Sequence, residues 1–276
     1  KVEIEYPAVK VYADMEMAEE GSMLSSRELA NKKHWDFLLQ RKAGIPLRIK
    51  AINMPFRETV PHVSLELFNH CTQKTERVIS DENGQLLFYT NGVKVWNANH
   101  QVMSNGNGLK GGIGTSSTNQ ALIVPYPNQT NLYYIFTTDE RAGANGLHYS
   151  IVDMNLNNGL GNLSQKNISL YAPTTERLAL ARHSDGKSFW LITHGWETDE
   201  FITYEITENG FNDHAIISKI GAEHHPQNSS NLNSRGYITF NSDFTKMAIA
   251  VYKDNFVELF DFDPCTGSIS NAITTN

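Results

Sequence analysis

The stretch "ARHSDGKSFWLITHGW", residues 181–196, decides how this chain is read. It gathers two histidines, an aspartate and two tryptophans, so it reads either as an active-site cluster or as the turn and strand of a repeating β-structure. "SDG" supplies residues that tolerate positive φ, as a tight turn demands. "FWLIT" is a β-branched and aromatic run suited to a buried strand. "RLALARHS" before it reads as the first strand of a unit, with "HSDGKS" as the turn below.

Three other segments keep this order of parts. They are "SDENGQLLFYTNGVKVWN" (80–97), "YPNQTNLYYIFTTDERAGANGLHYSIVDMN" (126–155) and "NSDFTKMAIAVYKDNFVELFDFD" (241–263). With the opening segment, their apolar runs centre on Phe88, Phe136, Ile192 and Ala250, separated by 48, 56 and 58 residues. One such antiparallel sheet cannot bury both its faces alone, and stacking sheets around an axis buries them. Strand repeats of about 40–50 residues fit the blades of a β-propeller. A β-sandwich, with shorter and more even turn spacing, ranks second. Phe88, Tyr134, Phe136, Trp190, Ile192, Ala248, Ala250, Leu259 and Phe262 are the expected core.

Composition agrees with a globular chain: 276 residues, 40% hydrophobic, 19% charged, formal charge -7. Acidic and basic residues alternate, leaving no basic stripe for nucleic acid. No apolar run is long enough to span a membrane. Position 1 is Lys and no leader pattern follows; a trimmed product and a cytosolic chain both look like this. The two cysteines, Cys71 and Cys265, have no partner Cys or His at zinc spacing. No metal and no cofactor is expected.

Residues 1–70 differ from the rest. "SSRELANKKHWDFLLQRKAG" (25–44) reads as a helix, with Ser25 and Glu28 as a capping box and Gly44 as its stop. "PLRIKAINMPF" and "PHVSLELFNH" then read as strands. This segment, a docking arm or a degenerate blade, precedes a propeller region of residues 71–276.

Propeller topology sorts the loops between two ends. It places Arg141, His194, Trp196, Glu197, Arg235 and Asp254 at the upper end, the six candidates for ligand binding. Loops on a rigid scaffold carry binding residues, and Trp and Arg are frequent at hot spots. Adjacent His224 and His225 point opposite ways in an extended strand and make a weak metal site. The Gly-rich "NGNGLKGGIGTSS" lacks the order of a phosphate loop. There is no nucleophile elbow and no H-E-x-x-H. "SDGKSFW" lacks the residue that separates Asp from Gly in a sialidase turn motif.

Four stretches in order, residues 80–109, 116–140, 176–207 and 236–267, carry a family resemblance. Together they resemble large secreted, WD-repeat-like propeller proteins of bacteria that use the type IX secretion route, many of which end in a sorting domain associated with gliding motility. The resemblance implies a propeller at the cell surface or outer membrane, often within a longer protein, and it supplies no catalytic residues. The expectation is therefore a non-catalytic scaffold, not an enzyme, that binds envelope proteins or glycans and no nucleic acid. The alternatives are a structural subunit of an envelope, secretion or motility assembly, and a carbohydrate-active propeller enzyme.

Overall fold

In a computed structural model the described residues are the strands within residues 1–66 and the chain over 77–112, 121–227 and 230–275. The helix expected at 25–44 and Cys71 lie outside them. The chain divides into two compact units, 1–72 with 78–86, and 73–77 with 87–276.

In the first unit, β1 (Val2–Tyr6), β2 (Val9–Asp14), β3 (Arg48–Ile52) and β4 (Ser64–Glu66) pair antiparallel in chain order. The strands expected in "PLRIKAINMPF" and "PHVSLELFNH" correspond to β3 and β4. β5 (Arg77–Ser80) is followed by a turn in which Asp81 Oδ1 accepts the backbone N–H groups of Asn83 and Gln85.

The second unit is built of short antiparallel sheets. β6 (Leu86–Thr90), β7 (Lys94–Asn97) and β8 (Val102–Asn107) run in order. So do β9 (Ala121–Pro125), β10 (Leu132–Thr138), β11 (Leu147–Asp153) and β12 (Asn162–Tyr171). The outer strands of these two sheets meet at a single parallel pair, Asn162 with Ser104. Next come β13 (Ala179–Arg182), β14 (Phe189–His194) and β15 (Glu200–Thr207), with β16 (Gly210–Phe211) and β17 (Ile216–Lys219) both pairing β15. The last sheet is β18 (Ile238–Phe240), β19 (Lys246–Val251), β20 (Phe256–Phe262) and β21 (Ile269–Thr275).

Successive sheets pack face against face. Phe88 meets Tyr133 edge-on at 5.4 Å, Phe136 meets Phe211 at 5.7 Å, and Phe201 meets Phe260 at 4.9 Å. The first strands lie innermost: β13 contacts β18, and Arg77 Nε donates to the carbonyl of Ala121 at the start of β9. Sequential meanders with first strands toward an axis make this an all-β fold of the propeller type. The turn read from "SDG" is present. Asp185 accepts from the N–H groups of Lys187 and Ser188 and from the Ser188 hydroxyl. Its carboxyl resists the opposing effect of burial and falls to about 2 through those bonds.

The expected core holds in part. Phe88, Tyr134, Phe136, Trp190, Ile192 and Phe262 are buried, whereas Leu259 is 43% exposed, Ala250 is exposed and Ala248 half-buried. In β19 and β20 the buried parity is Met247, Ile249 and Val251 with Glu258, Phe260 and Phe262. "KMAIAV" is apolar on both parities, so its larger side chains take the core side. Glu258 is buried because it has work there: it accepts from the Ala222 N–H at 3.1 Å and the Thr274 hydroxyl at 3.0 Å.

Candidate functional site

The upper ends of β13, β14 and β18, with the loops that join them, hold a buried polar constellation. The chain reaches β13 through Thr174, Thr175, Glu176 and Arg177, all fully buried. Two backbone bonds fix this entry: Thr175 N–H donates to the His194 carbonyl and Glu176 N–H to the Ser234 carbonyl, both at 2.9 Å. β14 ends at His194, and the turn beyond it bends back through Glu197, whose N–H donates to the His224 carbonyl at 2.7 Å. A 3-10 turn, Asn231–Ser234, completes the cluster.

Arg177 is its hub. Its guanidinium donates to the carbonyls of Asn233 at 2.9 Å and Ala250 at 2.9 Å, and also to that of Arg235. Its Nη1 lies 3.2 Å from His224 Nδ1. Burial pushes its pKa down to about 9 while Glu176 opposes the shift, so it stays charged at neutral pH. Glu176 accepts from the Arg141 N–H at 2.8 Å and faces Arg235 Nε at 3.9 Å. Asn233 is saturated: it donates to Asp254 at 2.8 Å and the His225 carbonyl at 3.2 Å, and accepts from Lys253 and Asp254 N–H groups.

His194 and His224 stack at 3.9 Å between ring centroids, tilted by 21°. Burial pushes the His194 pKa down to about 3, with the Arg177 charge adding to the effect. Burial first, then the neighbouring His194 and Arg177, pushes His224 lower still. Both rings are therefore neutral at physiological pH, and their partners fix their tautomers. Arginine only donates, so His224 Nδ1 must accept and Nε2 carries the proton. That Nε2–H is buried and has no partner among the described residues. His194 Nδ1 lies 2.7 Å from the Gly195 carbonyl, which only accepts, so Nδ1 carries the proton and Nε2 keeps its lone pair. The pair thus offers one donor, His224 Nε2–H, and one acceptor, His194 Nε2.

The six residues expected at the upper end all come to this region. His194 is in the stack, Arg235 pairs with Glu176, and Asp254 is held by Asn233. Arg141 and Glu197 contribute backbone N–H groups while their side chains are exposed. Trp196 is 5% exposed and joins only through its N–H to the Pro173 carbonyl at 3.1 Å, so it packs instead of facing solvent. Arg141, Ala142 and Glu197 have φ of 51°, 54° and 59°, a left-handed conformation that is costly without glycine.

Sequence reading missed Glu176, Arg177, Asn233 and Ser234, and set His224 aside as half of a weak metal pair. The available signal was "TTER", a charged pair entering an innermost strand where neighbouring sheets exclude water. Among the described residues, no group of three or more His, Cys, Asp or Glu is placed to hold a metal, and no helix is long and apolar enough to cross a membrane.

No protein-family model and no curated protein matches the chain. Among solved structures it is similar to the periplasmic gluconolactonase of Pseudomonas aeruginosa, at 14% identity and TM-score 0.41, over 72% of this chain and 53% of that one. It is similar to a putative 6-phosphogluconolactonase of Bacteroides fragilis, at 14% identity and TM-score 0.45, over 85% and 66%. A functionally unknown protein of Desulfotomaculum acetoxidans follows, at 12% identity and TM-score 0.42, over 83% and 65%. The chain spans about half to two thirds of the length of these structures.

These findings correct the expectation of a non-catalytic scaffold that is not an enzyme. Two of the propellers to which the chain is similar bear the names of lactonases. The expectation rested on finding no local catalytic motif. The ionisable groups that meet here come from positions 176, 177, 194, 224 and 235, too far apart to form one.

Proposed function

We propose that this chain is a carbohydrate-active propeller enzyme, a hydrolase that opens an ester or lactone of a sugar acid at the upper end. The observation that carries the reading is the buried Nε2–H of a neutral His224, without a partner among the described residues, backed by Arg177 and stacked on a neutral His194. Buried groups with strongly shifted pKa values are candidates for chemistry. A fixed neutral imidazole N–H polarises a carbonyl without needing protonation.

In the proposed reaction, water attacks the ester carbonyl carbon while His194 Nε2 accepts a hydrogen bond from it and orients it. His224 Nε2–H donates to the carbonyl oxygen as it gains negative charge, the role of an oxyanion donor. Arg177 positions His224 by keeping Nδ1 an acceptor. The acyl–oxygen bond then breaks, and the leaving alkoxide takes the proton that the attacking water gives up, giving the acid and the alcohol. Both rings are about 1% exposed, so the turns bonded around them must part to admit substrate. The sequence resemblance adds a cell-surface location to this proposal, which protease accessibility on intact cells would test.

The test is the ring opening of D-glucono-1,5-lactone, followed by acid release above the spontaneous rate. The parent should accelerate it. His224→Gln, folded as judged by its thermal melt, should lose about 10²–10³-fold, the usual effect of removing one oxyanion donor. A parent rate equal to buffer for both the 1,5- and 1,4-lactones would overturn the reading.

A further inference from the structure

A second feature lies at the opposite end of the sheets. The turn between β9 and β10, the turn after β11 and the turn after β15 border a cleft of about 420 Å³. It is lined by Asn128, Gln129, Thr130, Asn131, Leu132, Asn155, Glu208 and Asn209. The volume falls within the ~300–1,000 Å³ usual for small-ligand sites.

The chemistry of the lining is narrow. Five of the eight residues carry carboxamides, one a hydroxyl, one a carboxylate and one an apolar side chain. Among the described residues the lining has no cation, so phosphate, sulfate and carboxylate ligands meet no counter-charge there. Its single acid, Glu208, is already engaged by Asn128 Nδ2 across the cleft, from a position 80 residues away. One carboxylate so occupied is a poor cage for a divalent cation, which takes several oxygen ligands. One leucine offers little anchorage to an apolar peptide side chain.

Sugar hydroxyls are what such a lining matches. Each hydroxyl both donates and accepts, and each carboxamide offers two donors beside an acceptor oxygen. Part of the lining is held in place. Asn131 Nδ2 donates to Asn155 Oδ1 at 2.8 Å, and Asn155 Nδ2 donates to Asp153 Oδ1 at 3.0 Å. On the strands that carry these turns, Tyr126 stacks on Tyr134 at 5.1 Å and Tyr134 on Phe136 at 5.6 Å.

We propose that this lower cleft is a binding site for a neutral saccharide, separate from the histidine pair and not dependent on the reaction assigned to it. Gln129 and Asn209 are the recognition residues, and the Asn128–Glu208 bond clamps the two sheets on either side.

The test is native affinity electrophoresis of the full chain through gels cast with laminarin, mannan or dextran, and with anionic polygalacturonate as a contrast. The parent should be retarded in at least one neutral gel and not in polygalacturonate. The double variant Gln129→Ala/Asn209→Ala should lose that retardation about tenfold. Both positions are exposed, so its thermal melt should match the parent. Migration unaffected in all three neutral gels, retardation only in polygalacturonate, or retardation the double variant leaves unchanged would each overturn the proposal. Lactone opening by the same variant should stay at the parent rate, which separates a failure here from a failure at the upper end.

Discussion

Replacing Arg177 with methionine keeps an apolar stem as far as the Nε position and removes the charge and every donor. The structure says what is lost: bonds to the carbonyls of Asn233, Arg235 and Ala250, and the contact with His224 Nδ1. Each polar group left without a partner costs about 1–3 kcal/mol. Against this, the variant no longer desolvates a cation, which returns several kcal/mol. Breaking a buried charged interaction by removing one partner usually nets about 3–5 kcal/mol, and Arg177→Met should fall there. For a unit of this size each kcal/mol moves the melting midpoint by about 2–4 °C, so the midpoint should drop by ~6–20 °C. Arg177→Lys should fall between parent and methionine variant, because one ammonium cannot reproduce the planar fork. Urea denaturation followed by tryptophan fluorescence gives the number. A loss below ~1 kcal/mol for Arg177→Met would refute the hub role, and with it the fixed tautomer of His224.

Other outcomes follow from the same contacts. Trp190 is 3% exposed and its Nε1–H donates to the Pro264 carbonyl at 2.9 Å, so Trp190→Ala should cost about 3–5 kcal/mol by denaturation. Gly236→Ala should be far more damaging than Gly84→Ala. A Cβ at 236 would collide with the Ala250 carbonyl oxygen and stand 2.9 Å from Arg177 Nε, whereas nothing lies within 4 Å at 84, which leaves only the cost of its left-handed backbone. Stability should fall as pH drops from about 6.5 toward 3. The unfolded histidines take up protons in that window and the folded His194, with its pKa near 3, does not. Urea midpoints measured at pH 7, 5 and 4 should decrease in that order, and a flat series would contradict the buried, neutral assignment.

Local chemistry made most of the architecture readable. "SDG" and "ENG" could only be turns, and the apolar runs between them could only be strands, so β13 and β14 stand where "RLALAR" and "FWLIT" predict. What failed was parity in the last sheet. "KMAIAV" and "FVELFDF" are apolar on both faces, and only the neighbouring sheet decides that Ile249 and Glu258 go in while Ala250 and Leu259 stay out. The site was legible in its loops and not in its chemistry. Arg141, His194, Arg235 and Asp254 could be placed at one end from topology alone. The residues that bind them together, Glu176, Arg177, His224 and Asn233, meet across separations of 21 to 73 residues. No short pattern encodes such distances, and a charged pair beside an inner strand looks in sequence like the edge of a solvated loop.

The histidine pair is tested most directly by the ¹⁵N chemical shifts of the two imidazoles between pH 8 and 5. The account predicts two neutral rings throughout, with His224 protonated on Nε2 and His194 on Nδ1, and no titration in that range. A ring that gains a proton near pH 6.5, or a His224 whose proton sits on Nδ1, would contradict the proposed donor and acceptor at the heart of the site.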